Sequence, residues 1–252
     1  MKTFRQALQG DAFSITAELA FQRHTTVEEA LSQARTLADF VDGIQIAESH
    51  NEWAQISPVA LAGLLIRSGI DAIPSLSCRD RNRIALQSDL LGIRATGVTS
   101  VMLTRGIDIP DDYEPRARPV FDVSCRELIA MAHAINEEGS ARVQNELLIG
   151  TATTVVAPLP DQYSTELLAR ASAGARFLLI QPCQDIEVLG RYMQELVKEK
   201  ITWNYSVIVS LAPLPAPELM QEIASIPGIS GINLQCTGNP EAVIAAIESS
   251  GL

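Results

Sequence analysis

Eight short apolar runs rich in β-branched residues recur along this 252-residue chain, and each is followed by a longer stretch with helical spacing. That alternation predicts a parallel sheet, because parallel strands need a crossover of a dozen or more residues to start again from the same end. The runs cover residues 13–18, 41–47, 71–77, 99–105, 146–153, 176–182, 205–211 and 231–235. Between the first two, Val27, Ala30, Leu31, Ala34, Leu37 and Ala38 keep the i, i+3, i+4, i+7 spacing of a helix that buries one face. The spacing returns over residues 167–171 and in Val188, Leu189, Met193 and Leu196. Pro215 and Pro217 suit the first turn of the seventh helix and Pro240 that of the eighth, while Gly174, Gly228 and Gly231 punctuate returns to strands.

Eight such units in about 250 residues predict an α/β fold of the (β/α)8 TIM-barrel type, with residues 1–252 as a single domain. An open doubly wound sheet is the alternative. No GxGxxG follows the first strand and no GxxxxGK[ST] occurs, so that alternative lacks its usual nucleotide fingerprints. Residues 107–119, a polar and proline-broken stretch after the fourth strand, form a candidate lid or binding loop.

Charge narrows the partners. Nineteen Lys and Arg stand against 30 Asp and Glu, a net charge of −11, which argues against nucleic acid or an anionic membrane as the main partner. Cys78, Cys125, Cys183 and Cys236 are far apart with no CxxC pair, and His24, His50 and His133 form no HExxH or Cys/His cluster. No metal site is expected, and reduced thiols fit a cytoplasmic protein. The N-terminal residues lack the apolar core of a signal peptide, and no later run approaches the ~20 apolar residues of a membrane helix.

In a barrel the reacting groups sit at the C-terminal ends of strands, where the βα loops converge. Glu18 ends the first run in an apolar setting, and burial there would raise its pKa and suit it to proton donation; a strand-end salt bridge is the bland reading. Glu48 follows the second run, and Ser75 lies in the third, whose end at Cys78 precedes the turn Arg79-Asp80-Arg81-Asn82. There Asp80 is expected to cap the next helix, with the arginines solvated. Arg105, Gly106 and Asp108 close the fourth run, and Gln181 closes the sixth, where a buried amide must find partners or cost about 1–3 kcal/mol. Cys78 and Cys183 are expected to be inert thiols rather than nucleophiles, and the histidines loop or helix-surface residues.

The residues also resemble a known family, the methylenetetrahydrofolate reductases, in a short form made only of the catalytic barrel. The resemblance is carried by SLSCRDRNRIALQSDLLGIRATGVTSVMLTRG at 75–106, ARPVFDVSCREL at 117–128, ITAEL at 15–19, ISPVALA at 56–62 and AGARFLLIQPCQD at 173–185. It implies reduction of 5,10-methylenetetrahydrofolate to 5-methyltetrahydrofolate with NAD(P)H and FAD. By position, Glu18 matches the family's general acid and Gln181 its pterin-contacting glutamine; Glu48 falls to the substrate, and Ser75, Arg105 and Gly106 to the cofactor.

Departures accompany the matches. The family's Gly-Asp pair after the fourth strand reads Gly106-Ile107-Asp108 here, which shifts the carboxylate by one residue and makes Asp108 a candidate catalytic group. Ser75 replaces a family histidine, Ala47-Glu48 a Thr-Asp pair, and residues 150–160 a segment rich in tyrosine, proline and histidine. Three accounts follow from the resemblance: FAD held by a changed set of groups, direct hydride transfer from a nicotinamide, or a folate-binding barrel without reductase activity. The last includes a subunit of a complex and a folate-dependent methyl transferase. Homo-oligomer and partner-subunit arrangements are both compatible.

Overall fold

Strand β1 (Ser14–Glu18) pairs with β2 (Gly43–Ile46) on one side and with β8 (Ile229–Gln235) on the other, so the sheet has no edge. The other strands, β3 (Ala72–Ser77), β4 (Ser100–Thr104), β5 (Leu148–Thr153), β6 (Phe177–Ile180) and β7 (Ser206–Leu211), follow in chain order, all parallel, in a closed (β/α)8 barrel. This computed structural model describes residues 3–10, 12–48, 54–109, 117–139, 146–183 and 185–252. His50 and much of the candidate lid lie outside them.

Outside the barrel run α2 (Val27–Leu37), α3 (Pro58–Arg67), α4 (Arg83–Ala95), α5 (Cys125–Gly139), α6 (Asp161–Ser172), α7 (Ile186–Lys198), α8 (Pro217–Ala224) and α9 (Pro240–Ser250). Their starts follow local chemistry. Thr26 and Glu29 make a reciprocal capping box on α2, Asn82, Asp185 and Asn239 cap α4, α7 and α9, and Pro58, Pro217 and Pro240 fill first-turn positions. Among the described residues no helix is long and apolar enough to cross a membrane.

One element is additional to the expected ones, and three expectations are corrected. A short helix, α1 (Phe4–Leu8), precedes β1 and closes the N-terminal end of the barrel, where Phe4 is buried. Pro215 stands outside α8, whose N-cap is Ala216. Asp80 does not cap α4: its carboxylate is taken by Arg79, and Asn82 accepts the Ala85 N–H instead. Gly231 lies inside β8, which starts at Ile229 and carries a register shift opposite Val207 and Ile208. A Cβ on Gly231 would stand 2.3 Å from the Ser14 carbonyl oxygen, so only glycine lets β8 approach β1 there.

Side-chain alternation divides the core in two. Outward residues of the strands pack with the helices in one continuous cluster. Inward ones fill the barrel: Ile73, Met102, Phe177, Leu179 and Ile208 meet Phe4 near the N-terminal end, and the layers above turn polar, with Thr16, Gln45, Ser75, Ser77, Ser210 and Asn233 all buried. An apolar floor under a polar mouth is an arrangement for binding something at the mouth.

Candidate active site

The mouth of the barrel holds a small cavity lined by Glu18, Gln45, Glu48, Ser75, Ser77, Arg79, Thr104, Gly106, Gln181, Ser210 and Gln235, over Met102, Ala152 and Leu179. It opens sideways, past Thr104, Gly106, Ile107, Ala152 and Gln181, into a groove of about 1000 Å³ along β4, β5 and α6. Volumes in that range accept cofactor-sized molecules.

Glu18 is held in place by the strands on both sides: Cys236 N–H donates to the Glu18 carbonyl at 2.9 Å, and Gln45 and Gln235 stand in register with Glu18. Burial pushes its carboxyl up to about 7, opposed by a hydrogen bond from the Asn233 side chain. Asn233 is itself oriented. Thr16 Oγ1 donates to Asn233 Oδ1 at 2.8 Å, and Asn233 Nδ2 donates to Ser210 Oγ at 3.3 Å, so the amide nitrogen faces the acidic side of the cavity. The expected consequence of Asn233→Leu, which keeps volume but removes the donor, is a further rise of the Glu18 pKa. Any activity needing protonated Glu18 should then hold to higher pH, and an alkaline limb that stays where it was would refute the assignment.

Glu48 has a different environment in the same cavity. Arg81 Nη1 donates to its Oε1, and Arg81 Nε is paired with Asp89 at 2.7 Å. Burial raises the Glu48 pKa, while Arg81 and the nearby Ser77 hydroxyl oppose that rise. Glu48 Oε2 and Ser77 Oγ are nevertheless buried without completing a hydrogen bond. Arg79 is also buried, with its guanidinium bidentate on Asp80 at 2.8 Å for both bonds.

The residues after β4 divide between mouth and rim. Gly106, with φ +84°, packs so close to the end of β3 that a Cβ would stand 2.8 Å from Arg79 Cβ, and it lines both mouth and groove. Arg105 lies over the Phe121 ring at 4.3 Å and faces the groove. Asp108 is exposed on the rim, paired with Arg105 at 3.1 Å, and does not join Glu18. The turn at the end of the candidate lid is tied to β3, since Val120 and Phe121 N–H groups donate to the Arg79 and Cys78 carbonyls.

Cys78 is fully buried and its thiol is pushed up to about 12, an unreactive state. The four cysteines are free thiols. His133 is a helix-surface residue beside Glu137. Among the described residues no group of three or more His, Cys, Asp or Glu could hold a metal.

Sequence reading missed Gln45, Asn233, Gln235, Ser210 and both arginines of the 79–82 turn. Against the expectation of solvated arginines, ion pairing with Asp80, Glu48 and Asp89 draws them in. The polar strand residues did carry a signal. In strands buried on both faces, GIQI, VSL and INLQ place one polar side chain at each inward position near the C-terminal end.

The fold and this mouth define a TIM-barrel protein with a buried acid at the C-terminal end of β1. The family model for methylenetetrahydrofolate reductase matches residues 3–233, and the chain belongs to that family. No curated protein sequence matches it. Solved structures share the fold at low identity. A 2,3-dimethylmalate lyase of the PEP mutase/isocitrate lyase superfamily is 15% identical with a TM-score of 0.62, covering 98% of this chain and 83% of its own. The 3-hexulose-6-phosphate synthase of Salmonella typhimurium is 12% identical, TM-score 0.57, over 94% and 99% of the two chains. Phosphoribosyl anthranilate isomerase of Thermococcus kodakaraensis is 11% identical, TM-score 0.56, over 95% and 99%.

Proposed function

We propose that the chain reduces 5,10-methylenetetrahydrofolate to 5-methyltetrahydrofolate at the expense of NAD(P)H, with Glu18 as proton donor. The observation that carries this is a carboxyl buried against the Asn233 amide, poised at about 7, in the mouth of a barrel of this family. Opening the folate's methylene bridge breaks the carbon–N10 bond as N10 takes a proton, and leaves an iminium on N5 that a hydride converts to methyl. Glu18 supplies that proton, since a carboxylic acid still protonated near neutrality is what N10 requires. Gln181, on the opposite wall, offers an amide donor and acceptor to the pterin ring.

The family relation also implies FAD. The residues fit it: the groove has the volume, Gly106 lets a flat ring approach the backbone, Ser75 and the unpartnered Ser77 hydroxyl offer hydrogen bonds, and Arg105 offers charge to an anionic arm. When bound there, the flavin would carry hydride from NAD(P)H to the folate. Ser75, Ser77, Arg105 and Gly106 would hold it.

The rim position of Asp108 favours a second reading, a folate-binding barrel without turnover of its own that serves in a complex or in methyl transfer. One experiment separates them. The purified chain is examined for visible absorbance, titrated with FAD and folate, and assayed for NAD(P)H oxidation dependent on methylenetetrahydrofolate. Turnover by the lone chain is the expected result. Folate binding with no turnover, with or without FAD, would leave the second reading in place.

A further inference from the structure

We propose that Glu48 is the specificity residue of the mouth, accepting a hydrogen bond from the 2-amino and N3–H edge of a pterin through Oε2; this rests on the folate reading above. The two carboxyls of the cavity are built for opposite tasks. Glu18 is buried with the Asn233 amide for a neighbour, and that burial lets it keep its proton near neutrality. Glu48 is clamped by Arg81, itself fixed by Asp89, and that ion pair opposes the rise that burial causes in a side chain only 10% exposed. That clamp takes Oε1 alone. Oε2 is left buried with only the Ser77 hydroxyl near it and no completed hydrogen bond, and a buried acceptor in that state calls for a further donor. The last torsion of a glutamate is soft, so a small rotation presents Oε2 to the cavity that Glu48 lines.

A pterin's 2-amino group and N3–H form a guanidine-like edge of donors, one of which the open Oε2 can take. Other candidates for the task are placed differently. Asp108 is on the rim against Arg105, Asp80 is occupied by Arg79, and Asp89 by Arg81. Gln45, Gln181 and Gln235 are neutral amides that give shape and orientation without a charge-assisted bond.

The test is equilibrium binding of 5-methyltetrahydrofolate and of its 2-desamino-2-methyl analogue to the full chain and to Glu48→Gln, with melting curves to confirm folding. Wild type is expected to prefer the amino compound by at least about tenfold, and Glu48→Gln to lose most of that preference. Equal preference in both proteins overturns the assignment of Glu48. Equal affinity of wild type for both compounds also overturns it while leaving the folate reading intact, and a folded wild type that binds neither overturns both.

Arg81→Gln supplies a second, independent readout should Glu48→Gln fold poorly. The groups facing Glu48 are Arg79, Asp80 and Arg81 in the turn after β3, Ser77 and Cys78 before it, and Glu18 across the cavity. Arg81 opposes the burial that raises the Glu48 pKa, so its loss lets Glu48 keep a proton to higher pH. On acidification, affinity for 5-methyltetrahydrofolate should then be lost at a higher pH than in wild type, with Glu18 titrating alike in both proteins. Parallel pH profiles would overturn the proposal.

Discussion

Glu18→Gln is expected to fold, to bind folate with little loss, and to turn over on the order of 10²- to 10⁴-fold more slowly than wild type, the range usual for removing a positioned general acid. The amide keeps the shape of the acid and can still meet the Asn233 side chain, but it has no proton to give N10. Stability supplies a second signature with a fixed sign. The Glu18 carboxyl is raised from 4.5 to about 7, so between those values the folded chain holds a proton that the unfolded chain has released. Wild-type stability should therefore fall as pH climbs through that window, by about 3 kcal/mol in all if burial acts in full. Glu18→Gln lacks this slope and should melt above wild type on the alkaline side of neutrality. Near-normal turnover in this variant would remove Glu18 from the mechanism.

The frame of the molecule was legible in the chain because it repeats a local pattern eight times. Each strand is an apolar run bounded by turn residues and each helix carries its own cap, so neighbours in sequence suffice to place them. Glu18 and Gln181 were legible for a related reason: a polar residue at the end of an apolar run stands out whatever its partners. The 79–82 turn shows where such reasoning stops. Asp80 has the chemistry of a helix cap, yet the guanidinium of its own neighbour Arg79 takes the carboxylate, and Asn82 is left to cap α4. Arg81 likewise looks solvated until β2 delivers Glu48 beside it. Asn233 acquires its orientation from Thr16, more than two hundred residues earlier, through closure of β8 onto β1. Partners supplied by ring closure leave no trace in a window of ten residues.

Phe4 is the most consequential of these long-range contacts. Its flanking sequence reads as a polar N-terminus, yet its ring is 1% exposed and meets Phe177 edge-on, centroids 5.2 Å apart. Phe177 in turn lies across β5 at Gly150, where a Cβ would fall 2.1 Å from the ring, so its ring is seated on that glycine. The backbone is fastened as well, with Phe4 N–H donating to Asp71 Oδ2 at 2.8 Å and Thr3 and Gln6 boxing the helix start. Phe4→Ala should therefore leave a cavity in the floor and cost about 3–5 kcal/mol. Against a total of about 5–15 kcal/mol for a domain, that is a large share, and a fall in melting temperature on the order of 10 °C is expected. Phe4→Leu should recover much of it. Because Met102 and Leu179 belong both to the floor and to the lining of the mouth, the same variant should also weaken folate binding below its melting transition. A Phe4→Ala chain that melts within about 2 °C of wild type would mean that α1 only covers a barrel already closed without it.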